Sequence, residues 1–204
     1  MNRAHEVRIV GGRFKRSKLP VADKPGLRPT PDRVRETLFN WLGQDLDGWR
    51  VLDAFAGSGA LGFEAASRGA AEVLLLESDA DLVRSLRASR QRLQAAALRV
   101  ERADAIAWMA RAPAGTFDLV LLDPPFDSEL AERSLPLALR LASAEGLIYL
   151  ECAQPLPAAP PGWSMHRHGR AASVHFHLLR RVAPHATATL AAAAADPGVP
   201  RSPS

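Results

Sequence analysis

The chain is poor in sulfur and in aromatic rings. Its 204 residues include one cysteine, Cys152, one tyrosine and four tryptophans. A single thiol excludes an intramolecular disulfide and any zinc or iron–sulfur site built on cysteines. No apolar run reaches 18 residues, so no membrane span is expected. The opening "MNRAHEVRIV" lacks the apolar stretch of a secretory signal, and a cytoplasmic protein is the simplest expectation. Of the six histidines, His5, His166, His168, His175 and His177 lie in the part expected to fold, but no cysteine or carboxylate motif accompanies them. They read as surface or core residues, and no metal is expected. Residues 183–204 have low complexity and no Phe, Trp or Tyr, the composition of a disordered tail.

The chain does have apolar mass and an uneven charge. At 47% hydrophobic it can bury one well-formed core with a small appendage. Ten Lys/Arg stand against three acids in residues 1–35, and 16 against 19 in the remainder. That asymmetry points to a polyanion met by the N-terminal segment. The candidates for phosphate contact are Arg8, Arg13, Lys15, Arg16, Lys18, Arg33 and Arg35; a merely solubilising basic tail is the alternative. The expected division is a basic arm over 1–30, a folded domain over 31–182 and the tail over 183–204.

Residues 7–10 and 14–19 flank Gly11-Gly12 and predict a short hairpin. Thr30-Pro31-Asp32 predicts an N-cap followed by proline at the first helical position. The helix behind it places Val34, Leu38, Trp41 and Leu42 on one face. From Trp49 onward, apolar strands alternate with helices: "WRVLDAF", "AEVLLLES", "LRVERAD", "FDLVLLD" and "GLIYLECA". Leu82, Val83, Leu86 and Leu93 form the inner side of one helix. "WSMHRHGR" and "ASVHFHLLRR" predict a closing antiparallel hairpin. Continuous Val/Leu runs, rather than strict alternation, mark strands covered on both faces. The expected class is α/β, a doubly wound and mostly parallel sheet.

"LDAFAGSGALG" puts Asp53 at the end of the first strand of that sheet, and Gly57, Gly59 and Gly62 at the turn into a helix. Glycines there let backbone approach a ligand, and Glu77, closing the next strand, is placed to accept ribose hydroxyls. The spacing is shared with NAD enzymes. Asp53 argues for a ligand with a cationic end, because a carboxylate at this position repels a pyrophosphate. S-adenosylmethionine has that character, carrying an ammonium and carboxylate, a ribose and an adenine. Asp104 is placed either to contact the adenine amine or to cap the helix "AIAWMAR", or to do both.

"FDLVLLDPPF" brings Asp123, Pro124, Pro125 and Phe126 to the same edge of the sheet, where doubly wound folds bind ligands. The prolines stiffen the turn and remove donors, leaving a carboxylate and a carbonyl as acceptors. Such a pair suits the N–H bonds of an exocyclic amine on a nucleobase, and Phe126 offers a stacking surface. A base must leave its stack to reach such a pocket. The plain alternative is a strand-ending turn with Phe126 in the core.

With these segments taken together, the chain resembles the RsmD-type family of bacterial 16S ribosomal RNA guanine-N2 methyltransferases over about residues 8–180. "GLRPTPDRVRETLFNWL" is the most specific segment; "LDAFAGSGALGFEAASRGA" and "FDLVLLDPPF" support it. The resemblance implies a Rossmann-like enzyme using S-adenosylmethionine on one guanine of small-subunit RNA, within a ribosomal particle and as a monomer. It implies cofactor contacts by Asp53, Phe55, Gly57, Ser58 and Gly59, by Glu77, and by Asp104 with Ala105. Arg28, Pro29 and Thr30 match a segment placed to close over the cofactor, and Asp123 to Phe126 match the reacting centre. Arg16-Ser17 departs from the family's usual glycine followed by a basic residue. The Asp-Pro-Pro-Phe turn is common to adenine-N6 methyltransferases, which keeps that activity as the alternative. An RNA-binding assembly factor with a vestigial cofactor site is the reading from another class.

Overall fold

The computed structural model describes residues 5–24, 30–125 and 129–182. Arg28, Pro29, Phe126 and the tail 183–204 therefore lie outside the described residues. Two strands, β1 (His5–Arg8) and β2 (Lys18–Val21), pair antiparallel at the N-terminus. The helix α1 (Asp32–Trp41) follows. Alternating elements then run β3 (Arg50–Asp53), α2 (Ala60–Ser67), β4 (Glu72–Glu77), α3 (Ala80–Arg92), β5 (Leu98–Arg102), α4 (Ala105–Arg111), β6 (Phe117–Leu122), α5 (Leu130–Leu141) and β7 (Ala142–Cys152). The strands β8 (Trp163–Ala171) and β9 (Val174–Arg181) form the expected closing hairpin.

The seven-stranded sheet has the order β5-β4-β3-β6-β7-β9-β8. Its first five strands are parallel, and β9 inserts antiparallel beside β7. This is the Rossmann-like arrangement that strand–helix alternation predicts. Successive side chains of a strand face opposite sides, so the apolar runs feed two cores. Val51, Leu121 and Tyr149 join one core with α1, α2 and α3; Leu52, Val120 and Ile148 join the other with α4 and α5. The order reverses between β3 and β6, and the crevice at their C-terminal ends is the natural ligand position.

The N-terminal hairpin differs from the expected short turn at Gly11-Gly12. Its ladder closes with Ile9 N–H to the Ser17 carbonyl (2.9 Å), and the residues between dock on α2. Val10 and Gly11 donate to the carboxylate of Glu64 at 2.9 and 2.8 Å, and Phe14 N–H donates to Ser67 Oγ at 2.8 Å. Val7, Ile9, Phe14 and Leu19 are buried in the same core as α2. Arg16 in this turn adopts φ +71°, a left-handed backbone that is uncommon outside glycine.

Helix α1 begins differently from the prediction. Pro31 is the cap residue, with no side-chain capping bond, and its carbonyl accepts from the N–H groups of Val34 and Arg35. The Thr30 hydroxyl is engaged elsewhere. Val34, Leu38 and Leu42 are buried as the spacing requires, and Trp41 stacks on Phe176 at 5.3 Å. In α3, Leu82, Val83 and Leu86 are buried and Leu93 packs at the margin.

Candidate active site

The strands β3, β4, β6 and β7 each end on or beside an acid: Asp53, Glu77, Asp123 and Glu151. Because parallel strands in register bring their C-terminal ends together, these acids gather at one edge of the sheet. A cleft of about 420 Å³ opens there. It brings together most of the residues singled out in the sequence: Thr30, Asp53, Phe55, Gly57, Ser58, Glu77, Asp104, Ala105, Asp123, Pro124 and Pro125.

Asp53 is 1% exposed. Its Oδ2 accepts from the Gly62 N–H at 2.9 Å. A side chain on Gly62 would press on Asp53 Oδ2 and Leu75, so glycine is what lets this carboxylate seat over α2. Asp53 Oδ1 has no hydrogen bond to any described residue. Burial pushes its carboxyl up to about 7, reinforced by Asp123 and Glu77 and opposed chiefly by the Gly62 N–H. A buried carboxylate with an unfilled oxygen favours a cationic or hydrogen-bonding ligand.

Gly59 is the cap residue of α2 at φ +81° and does not line the cleft; a Cβ there would collide with Leu86 and Phe63, so packing and backbone conformation both require glycine. Glu77 ties its neighbours together, accepting from Gly57 N–H at 3.0 Å and Asp79 N–H at 2.9 Å. Asp104 caps α4 by accepting from Ala107 N–H at 2.7 Å, while also facing the cleft.

Asp123 accepts the Thr30 hydroxyl at 2.9 Å through Oδ2. Burial lifts its carboxyl to about 6, and the Thr30 bond works against that shift. The hydroxyl expected to cap α1 thus reaches a strand end 93 residues away.

Two groups in or beside the cleft, Lys24 and Glu151, were not anticipated from the sequence. Lys24 lines the cleft and pairs with Asp79, which caps α3, and with Asp81 at 3.2 Å. Glu151, 3% exposed, lies behind Asp123 and accepts the hydroxyl of buried Tyr149 at 2.7 Å. The available signal for Glu151 was the repeated ending itself, an apolar strand closed by an acid, as in "VLD", "LLLE", "VLLD" and "LIYLE".

Of the basic candidates, Arg8, Arg13, Lys15, Arg16, Lys18 and Arg33 are exposed. Arg35 is not. Its guanidinium is fully buried, bonded to Asp32, to Glu64 at 3.2 Å, and to the carbonyls of Arg8 and Thr30. Its charge is compensated inside the fold, which removes it from the exposed basic set. Among the described residues, no cluster of His, Cys, Asp or Glu has the arrangement of a metal site, and no helix is long and apolar enough to cross a membrane.

Residues 7–180 match the family model described as Conserved hypothetical protein 95. The chain is 43% identical over 183 residues to Ribosomal RNA small subunit methyltransferase D of Escherichia coli (strain K12), covering 87% of this chain and 91% of that protein. The protein of the same description in Haemophilus influenzae is 39% identical over 185 residues, covering 87% and 95%. Among solved structures, "Putative methyltransferase yhhF from Escherichia coli" superposes with a TM-score of 0.78 at 41% identity, over 88% of this chain and 99% of that one.

Proposed function

Because the chain belongs to the RsmD family, the one described as Conserved hypothetical protein 95, and is a methyltransferase, we propose that it methylates the exocyclic N2 amine of a guanine in 16S ribosomal RNA with S-adenosylmethionine as donor. One observation carries this reading: a single cleft joins an under-bonded buried carboxylate, Asp53, to the Asp123-Pro124-Pro125 turn.

S-adenosylmethionine supplies, when bound, an electrophilic methyl group on a sulfonium. The residues present fit such a ligand. Asp53 Oδ1, buried and without a partner among the described residues, suits the ammonium end. Glu77 keeps acceptor sites beyond the two backbone N–H groups it already binds, enough for ribose hydroxyls. Asp104 uses Oδ1 on its helix, which leaves Oδ2 for the adenine amine.

At the other end, Asp123 and the Pro124 carbonyl accept the two N–H bonds of the target amine, and Phe126 stacks on the base. Holding both N–H bonds orients the nitrogen lone pair toward the donor methyl. The nitrogen loses one proton as its new bond forms, and Asp123 is the nearest base. Catalysis of this kind rests on orientation and a prearranged electrostatic setting. The exposed Arg8, Arg13, Lys15, Arg16, Lys18 and Arg33 contact phosphates of the RNA. Arg28 and Thr30 belong to the segment that closes over the site, with Thr30 acting on Asp123. The substrate is 16S RNA within a small-subunit particle, met in the cytoplasm by a monomer.

The deciding experiment incubates the protein and labelled S-adenosylmethionine with 30S particles and 16S RNA from cells lacking the gene, followed by nucleoside mass spectrometry. N2-methylguanosine is the expected product. N6-methyladenosine would move the assignment to the adenine alternative. Cofactor binding without transfer to any ribosomal substrate would overturn the proposal.

A further inference from the structure

Behind Asp123 lies a buried polar chain that the proposed reaction leaves unused. Strands β6 and β7 are parallel, with Leu121 beside Tyr149 and Leu122 beside Leu150. The next step sets Asp123 beside Glu151, on the face that carries Leu121 and Tyr149. Glu151 is 3% exposed and lines no part of the cleft, so it does not touch a ligand there. Tyr149 Oη donates to Glu151 Oε1 at 2.7 Å. The Thr30 hydroxyl is 2.9 Å from Asp123 Oδ2, and it lies close enough to Glu151 to work against the rise that burial gives that carboxyl.

Thr30 thus stands between two carboxyl groups with a single hydrogen to give. Two ionised carboxylates side by side in a buried setting repel each other, and one hydroxyl cannot donate to both. The arrangement that satisfies every atom keeps one proton on the pair. Tyr149 donates to Glu151, the Glu151 carboxyl donates to Thr30, and Thr30 donates to Asp123.

Building on the methyl-transfer reading, we propose that Glu151 is a positioning residue: as the protonated link between Tyr149 and Thr30, it holds the Thr30 hydrogen on Asp123 and so fixes the orientation and charge of the carboxylate that receives the amine. Burial lifts both carboxyls, with Asp123 adding to the rise of Glu151 and the Thr30 bond opposing that of Asp123. Because Thr30 donates to Asp123, the proton of the pair is assigned to Glu151. Of the other titratable groups nearby, Asp53 on β3 is an acid that Asp123 repels, and the Cys152 thiol on β7 is raised by burial and by Glu151. Arg35 on α1 is held by Asp32 and Glu64, and reaches the chain only through the Thr30 carbonyl at 3.2 Å. From β9, the residue paired with Glu151 is the apolar Phe176.

The test combines two readouts on the full-length protein. The first is the pH profile of methyl transfer to 30S particles. The second is the carboxyl ¹³C titration of Asp123, assigned against Asp123→Asn, which needs no activity. Glu151→Gln preserves the chain, because its amide donates to Thr30 and accepts from Tyr149. It should keep kcat at pH 7 within about threefold, lose the alkaline fall in activity near pH 8, and reduce the Asp123 titration to one step. Glu151→Ala should lower kcat by about 10–100-fold, with KM and cofactor affinity within about twofold. Thr30→Val should raise the pH at which Asp123 titrates. Unchanged pH profile and Asp123 titration in Glu151→Gln would overturn the proposal, as would a Glu151→Gln enzyme as impaired as Glu151→Ala. If the wild-type protein transfers no methyl group, the functional reading fails, while the ¹³C titration still decides the hydrogen-bond chain.

Discussion

Two buried carboxylates on the same side of the sheet have opposite surroundings. Glu64, on α2, is fully buried and receives five donors: the N–H groups of Val10 and Gly11, two nitrogens of Arg68 and one of Arg35. Asp53, on β3, is equally buried and receives one well-formed hydrogen bond, from Gly62, with a weaker pull from the Phe55 N–H and its second oxygen short of any well-formed partner among the described residues. Burial of charge therefore has two meanings in this protein. Glu64 is saturated and fastens the N-terminal hairpin and α1 to α2. Asp53 is held short of saturation in the wall of the cleft, where the proposed cofactor would complete it. A buried charge identifies a binding site only when its hydrogen-bonding capacity is left open.

Breaking the saturated side should have the largest effect. Glu64→Leu leaves Arg35 and Arg68 buried without their shared carboxylate and should cost about 3–5 kcal/mol, measured by urea denaturation. Asp123→Ala should reduce methyl transfer by about 10²–10³-fold with cofactor affinity within about threefold, checked by tritium transfer and calorimetry.

Asp53→Asn sharpens the contrast, because stability and binding should move in opposite directions. A carboxyl raised from 3.8 to about 7 by burial binds its proton more tightly in the folded state. Its contribution opposes folding increasingly as pH rises from about 4 to about 7. The asparagine should therefore stabilise the unliganded protein by about 1–2 kcal/mol at pH 8 and by almost nothing at pH 4, while weakening cofactor binding at least tenfold. In the wild type, affinity for a cationic ligand should fall as pH drops below about 7, by at most about tenfold per unit; a flat profile between pH 5 and 8 would count against Asp53 as the ammonium partner.

The smallest effect concerns the exposed charges. Changing Lys15 and Arg33 together to alanine should weaken RNA binding and reduce the salt slope by about two. Arg35→Ala should leave that slope unchanged and lower stability instead, as its place in the Glu64 network requires.

The alternation of strands and helices, the inner faces of α1 and α3, the glycine turn and the acids at the strand ends were all legible in the chain. Each is written in neighbouring residues, as a period of two or 3.6 or as a turn signal. The same local rules led astray at Thr30, where capping chemistry predicted a bond to α1. The carboxylate that takes its hydroxyl lies 93 residues further along the chain. Arg35 misled for a similar reason. It belongs to a basic run in sequence, yet the turn of α1 points it inward at Glu64, a partner 29 residues away.

By itself, then, the sequence determined which segments become strands, which loops carry acids and glycines, and that these loops meet at one sheet edge, since parallel strands leave no other place for them. Tertiary structure alone decided which charges are neutralised within the fold and which remain available. Desolvation and hydrogen-bond partners set that outcome, and both depend on groups that only the folded chain brings into contact. Glu64 and Asp53 look alike as letters; packing closed the first and left the second open.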